Sequence, residues 1–223
     1  MSGFVGFSTE GLEFLASLGS KDKGWFDAHR PTCRAEVVAP AKAFVEAMGV
    51  ELAAGAFPLI QAQPKVNGSM APINNDLRFS PNAAPYKDHL VFKFWEGEVK
   101  KFAPTLWVRM HPVDGIGFAS GTLLVDLDRW RNAVDEHGAL LVEAVASLRE
   151  EQDADLIADG LKRVPKPYEP DHPHEMLLRA KGFQIRWVVP TPQTIGSGAF
   201  VDSCVAELER AEPVHRWLVD HLG

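Results

Sequence analysis

The spacing of apolar residues changes twice along the chain, and each change predicts a different element. From Ser8 to Gly55 the period is helical. Leu12, Leu15 and Leu18, with Phe14 beside them, form a stripe that Ser8 can cap and Gly19 can end. Val37, Val38, Ala41, Phe44, Val45, Met48 and Leu52 predict a second helix that begins near Pro31 and closes at Gly55. Pro40 lies inside that pattern and requires either a kink or a later start. From Ala56 to Asn75 no period holds, and Pro58, Pro64, Gly68 and Pro72 predict irregular backbone. After Asp88 the period becomes two, with Leu90, Phe92 and Phe94 alternating with Val91, Lys93 and Trp95. Strands are predicted near residues 89–95, 104–111 and 116–123, the last two joined through the Asp114-Gly115 hairpin signal. The period then returns to helical through Leu127, Trp130, Val134, Leu141, Val145 and Leu148, with Asp126 or Asp128 as cap and Gly138 a point where the helix can break. The acidic run from Glu150 to Asp159 reads as a solvated face and loop. A short helix over 175–180, a strand over 183–189 and a helical tail from Phe200 to Leu222, divided at Pro213, complete the chain. Strands joined by short links predict an α+β fold, one domain over residues 1–223, in which helices pack on an antiparallel meander.

Composition narrows the function classes. The 223 residues are 46% hydrophobic and 24% charged, which suits a globular chain with a substantial core and not a disordered one. A formal charge of −7 argues against a nucleic-acid coat, because phosphate binding needs a basic face. Cys33 and Cys204 make no metal-ligand spacing, and burial as small hydrophobes in a reducing compartment is their simplest reading. The start Met1-Ser2-Gly3-Phe4-Val5 lacks the basic and apolar runs of a signal peptide, and no apolar stretch reaches bilayer length. The expectation is a cytoplasmic protein without a membrane partner. No P-loop, nucleophile elbow or dinucleotide fingerprint occurs, and Gly115-Ile116-Gly117 lies in a hairpin, so no cofactor is expected. Trp95, Trp107, Trp130 and Trp187 fall on core-like phases.

The segment Ile73 to Lys87 gathers an acid, two cations, a phenol, amides and prolines in one aperiodic stretch. Within it, Asp76, Arg78, Phe79, Asn82 and Tyr86 stand at the spacing of a signature that runs Arg-x-x-Arg-Asp-x-Arg-Phe-x-x-x-Asx-Lys-x-x-Tyr. With Trp25-Phe26, Leu127 to Arg131, His172-Pro173, Glu175, Leu178, Lys181 and Phe183, they give the chain a resemblance to the bacterial family catalogued as domain of unknown function 2461. The resemblance implies a single α+β domain and no established activity. The chain departs from the signature at Pro72 and Asn75, where the leading arginines would fall, and at Ala83, where the lysine would fall. A site built on that whole cationic set has lost three charges here.

Three function classes fit these residues. The first is a small-molecule binder or enzyme that takes an anionic or polar ligand in a pocket beside the Asp76–Lys87 loop. Its candidate residues are Asp76, Arg78, Asn82, Tyr86 and Lys87, with Arg109, Arg131, Arg179 and Lys181 as further cations. Asp76 and Arg78 lie two apart and share one side of an extended segment, and a buried ion pair that pins the loop is their bland reading. Tyr86 can pack with its hydroxyl on a carbonyl, or have its pKa lowered by Lys87. The second class is a protein-interaction module that uses the aromatic-rich loop. The third is a metal-assisted hydrolase at His172, His174 and Glu175, with His111 or Asp171 completing the shell. Pro173 splits that histidine pair, so loop ordering is the simpler role for His172 and no structural zinc is expected.

Overall fold

The computed structural model describes residues 3–78, 84–122 and 126–223. Among them, five strands form one antiparallel sheet in the order β1-β2-β3-β5-β4. The strands are β1 (Leu90–Trp95), β2 (Thr105–His111), β3 (Gly115–Thr122), β4 (Asp155–Ile157) and β5 (Phe183–Val189). The expected meander is therefore present, with β5 laid against β3 after a long helical excursion. The β2–β3 hairpin turns at Gly115, whose φ of +99° and close approach to the Val189 carbonyl (2.4 Å from an added Cβ) both require glycine. Expectations for Leu123 and Leu124 fall outside the described residues.

Two expectations are corrected. The acidic run is not wholly loop: β4 pairs with β5 in it and sets Asp155 opposite Arg186. A three-residue edge strand is too short to show a period of two, which is why it reads as loop. Gly138 does not break its helix, because α5 runs from Leu127 to Gln152. The glycine instead makes room for the His174 ring, whose Cδ2 would lie 2.7 Å from an added Cβ.

Before the sheet, Ser8 Oγ accepts the Gly11 N–H at 3.0 Å to cap α1 (Thr9–Leu18). Asp22 caps α2 (Lys23–Ala28), and α3 (Arg30–Thr32) carries Pro31 in its first turn. A π-helical turn over Cys33–Val38 then widens the backbone immediately before α4 (Ala39–Ala54). Pro40 offers no N–H and would press on the carbonyl four residues back, so the wider turn lets the chain continue into α4 without a break. Residues 56–71 are irregular as expected, yet they cover the free edge of β1. The Lys93 N–H reaches the Ser69 carbonyl at 2.9 Å, and the Gln61 N–H reaches the Trp95 carbonyl at 2.8 Å.

Alternation on the sheet separates two faces. Leu106, Val108, Met110, Ile116, Phe118 and Ile185 point into the helical layer and are buried. There the Phe44 ring meets Phe4, Phe92 and Phe200 at centroid distances of 5.3, 4.8 and 5.4 Å. Trp130 and Trp187 join this core as expected, and Trp95 and Trp107 are buried as well, on the other side of the sheet and outside this cluster. The tail divides at the expected place into α7 (Phe200–Glu209) and α8 (Glu212–Leu222). α8 brings His215 and Arg216 to the sheet, where His215 Nδ1 lies 3.2 Å from Ser120 Oγ. Arg216 Nη2 lies 2.5 Å from a carboxylate oxygen of Glu96, a residue only 1% exposed.

Candidate functional site

The described parts of the Ile73–Lys87 segment, residues 73–78 and 84–87, are tied together by backbone hydrogen bonds. The Lys87 N–H donates to the Ile73 carbonyl, and the Asn75 N–H donates to the Pro85 carbonyl. Lys87 Nζ donates to the carbonyls of Pro72 and Asn74, both at 2.7 Å, and burial lowers its pKa. Its ammonium therefore staples the two arms together. Tyr86 is buried and stacks on Phe26 with centroids 4.3 Å apart. Burial raises its phenol pKa and Asp27 adds to this, the opposite of the expected influence of Lys87. Arg78 pairs with Asp76 at 2.6 Å, with the arginine side chain 79% exposed. The pair is thus not the buried pin that its spacing allows. Phe79 and Asn82 lie outside the described residues.

His172 fastens a loop. Its Nδ1 accepts the His174 N–H at 3.1 Å, so the proton sits on Nε2, which donates to Asp135 of α5 at 3.0 Å. With both nitrogens engaged, His172 has no lone pair to offer a metal. Among the described residues, no group of three or more His, Cys, Asp or Glu is arranged to hold a metal ion. Tyr168 ties the same loop to α5 through Asn132, at 3.0 Å. Arg131 is spent on α6 (Glu175–Arg179), with Nε 3.4 Å from the Leu178 carbonyl, while Lys181 is exposed. Glu175 opens α6 at the surface.

Of the candidate site residues named from the sequence, Arg109 alone lines the large concavity on the second face of the sheet. This trough has a volume of about 610 Å³. Its floor is Gly117 and Ala119 of β3, where a missing side chain and a methyl group leave room above the strand. Trp107 and Arg109 of β2 form one wall, and Arg186 and Val188 of β5 form the other. Gln152 and Asp153 close the end where α5 stops. The register places these residues together: Arg109 faces Gly117, Gly117 faces Val188, and Trp107, Ala119 and Arg186 lie in one row. Arg186 is 3.7 Å from Asp155, an exposed pair. Arg109 is half-buried and has no carboxylate partner among the described residues.

At the opposite end, where the Ile73–Lys87 segment leads into β1, two imidazoles continue the same face. Asp88 Oδ1 lies 2.8 Å from His89 Nδ1, and its Oδ2 lies 3.5 Å from His111 Nε2. His111 Nδ1 accepts the N–H groups of Val113 and Asp114 at 3.1 and 2.8 Å, which assigns its proton to Nε2, facing Asp88 and Asp114. Asp88 therefore bridges two imidazole N–H groups. The hydrogen bond from His89 holds the Asp88 carboxyl below its usual range, against the effect of burial. Burial pulls His89 below the usual imidazole value and Arg109 adds to this, opposing the bond to Asp88. At neutral pH the pair is carboxylate and neutral imidazole, with the His89 proton on Nδ1 and the lone pair on Nε2. The sequence carried one signal for this site: alternation alone puts Val91 and Lys93 of β1, with His89 just before it, in one phase, and Trp107, Arg109 and His111 on one face of β2. The strand register, set beyond the link between β1 and β2, was needed to join them.

Fold and site together define an α+β domain that buries one face of an antiparallel sheet under helices and leaves on the other a trough lined by tryptophan, by Arg109 and Arg186, and by Asp153 and Asp155. The family model described as Conserved hypothetical protein (DUF2461) matches residues 10–217, and the chain belongs to that family. No curated protein and no solved structure matches it. Among the described residues, no helix is long and apolar enough to cross a membrane.

Proposed function

We propose that the protein binds a small anionic molecule in the trough on the open face of its sheet, with Arg109 as the principal charge and the Trp107 indole as an apolar wall. The observation that carries this reading is Arg109 itself, a half-buried arginine with no carboxylate partner among the described residues. Partial desolvation of a cation costs free energy that structural arginines recover through ion pairs, as Arg216 does with Glu96. An uncompensated one is characteristic of a site that a ligand completes. The trough falls within the roughly 300–1,000 Å³ of small-molecule sites. None of the described residues of the Asp76–Lys87 segment lines it, and the segment leads in the chain into Asp88 and His89.

Chemical-shift titration of the protein with acetate, phosphate and sulfate at constant ionic strength tests the reading. Resonances of β2, β3 and β5 on the open face should move, and Arg109→Met should abolish the response while Arg78→Ala retains it. Shifts confined to the Asp76–Arg78 pair, or none, would refute it.

A further inference from the structure

We propose that His89 selects the ligand: its Nε2 accepts a hydrogen bond from a hydroxyl next to the anionic group, so the trough prefers 2-hydroxy carboxylates to the corresponding simple carboxylates. The inference rests on the anion-binding reading above and narrows its chemical class.

The geometry fixes what His89 can offer. Its Nδ1 is committed to Asp88, and the 2.8 Å separation from a carboxylate oxygen makes Nδ1 the protonated nitrogen. Nε2 is then an acceptor, and the side chain is 21% exposed, enough to be reached from solvent. Asp88 cannot turn away easily, because its second oxygen faces His111 Nε2 and α1 ends against it at Gly19. His111 is in turn anchored by two backbone N–H groups of the β2–β3 turn. The imidazole is therefore held in one orientation and one tautomer by a chain of bonds that ends in the backbone.

Position supplies the rest. Val91 pairs with Arg109, and the ring of His89, just before β1, lies 6.2 Å from the ring of His111 at the end of β2. His89 stands immediately before β1, two residues from the Val91 partner of Arg109, and is close enough to Arg109 to feel its charge. A carboxylate on Arg109 leaves its α-substituent near the imidazole. A hydroxyl there donates to Nε2, whereas a hydrogen atom leaves that acceptor without a partner. One added hydrogen bond to a partly desolvated acceptor corresponds to a preference of roughly tenfold.

The test compares glycolate with acetate by chemical-shift titration of the parent, His89→Phe and Arg109→Met proteins. The parent should bind glycolate about tenfold more tightly, the ratio should fall to about one in His89→Phe, and Arg109→Met should lose both ligands. Equal affinities in the parent, or a preference that survives in His89→Phe, would overturn the role of His89 and leave the anion site standing. Failure of both anions to bind the parent would remove the site itself. Should His89→Phe not fold, imidazole nitrogen spectra of the parent decide. Glycolate, but not acetate, should shift the unprotonated Nε2 signal of His89, and equal shifts with both would refute the inference.

Discussion

The two faces of the sheet use the same strands and obey opposite rules. Toward the helices, Phe92, Val108, Phe118 and Ile185 are packed among aromatic rings, and the charged pair that intrudes, Glu96 with Arg216, is matched. On the other side, Val91, Arg109, Gly117 and Arg186 occupy alternate positions of those strands, and Arg109 has no carboxylate partner among the described residues. One face spends its side chains on stability. The other leaves space and charge uncompensated, which a fold tolerates only because its first face is well packed.

The largest test of this contrast sits within β1. Phe92→Ala should destabilise the protein by about 3–5 kcal/mol in urea unfolding, whereas the adjacent Lys93→Ala should cost well under 1 kcal/mol. Comparable losses would mean that the open face is packed too. Next, Arg216→Met should cost about 3 kcal/mol, because it strands the buried Glu96 carboxylate, and adding Glu96→Met should restore much of the loss. Failure of the double variant to recover would show that the pair holds β1 to α8 through more than charge.

A third test uses pH. Burial pushes the His215 imidazole down to about 3, with Arg216 contributing. Between that value and the usual 6.5, the unfolded chain takes up a proton that the folded chain does not. The neutral imidazole is therefore fully tolerated above about pH 6.5, and stability falls as pH drops below it, by up to about 1.4 kcal/mol per pH unit. His215→Gln should show a shallower acid slope in urea unfolding at several pH values, and an unchanged slope would contradict the assignment.

Smaller effects are expected on the open side. Arg109→Met should leave the thermal midpoint unchanged or raise it slightly while removing the response to anions. A clear loss of stability would make Arg109 structural. Smallest of all, Asp76→Asn should not move the melting curve measurably, since its pair with Arg78 stands in solvent.

Periodicity determined much by itself. The strands from β1 to β3, β5, the first capped helix and the division of the tail at Pro213 follow from local spacing, because burying one face of a helix or strand imposes its period on the residues. The family likewise follows from residues that stand close together in the chain. The site did not. A cluster of unusual residues between Ile73 and Lys87 draws attention in one dimension, but its ends are tied by backbone bonds and a lysine staple, and its charged pair is turned to water. The trough instead assembles from β1, β2, β3, β5 and the end of α5, elements spread over nearly a hundred positions, each contributing one or two ordinary residues. Only strand register could bring Val91 opposite Arg109 and lay Gly117 as a floor between Arg109 and Val188. Register is set by turns and by packing of the opposite face, so the second face of the sheet is decided by the tertiary structure and not by its own sequence pattern.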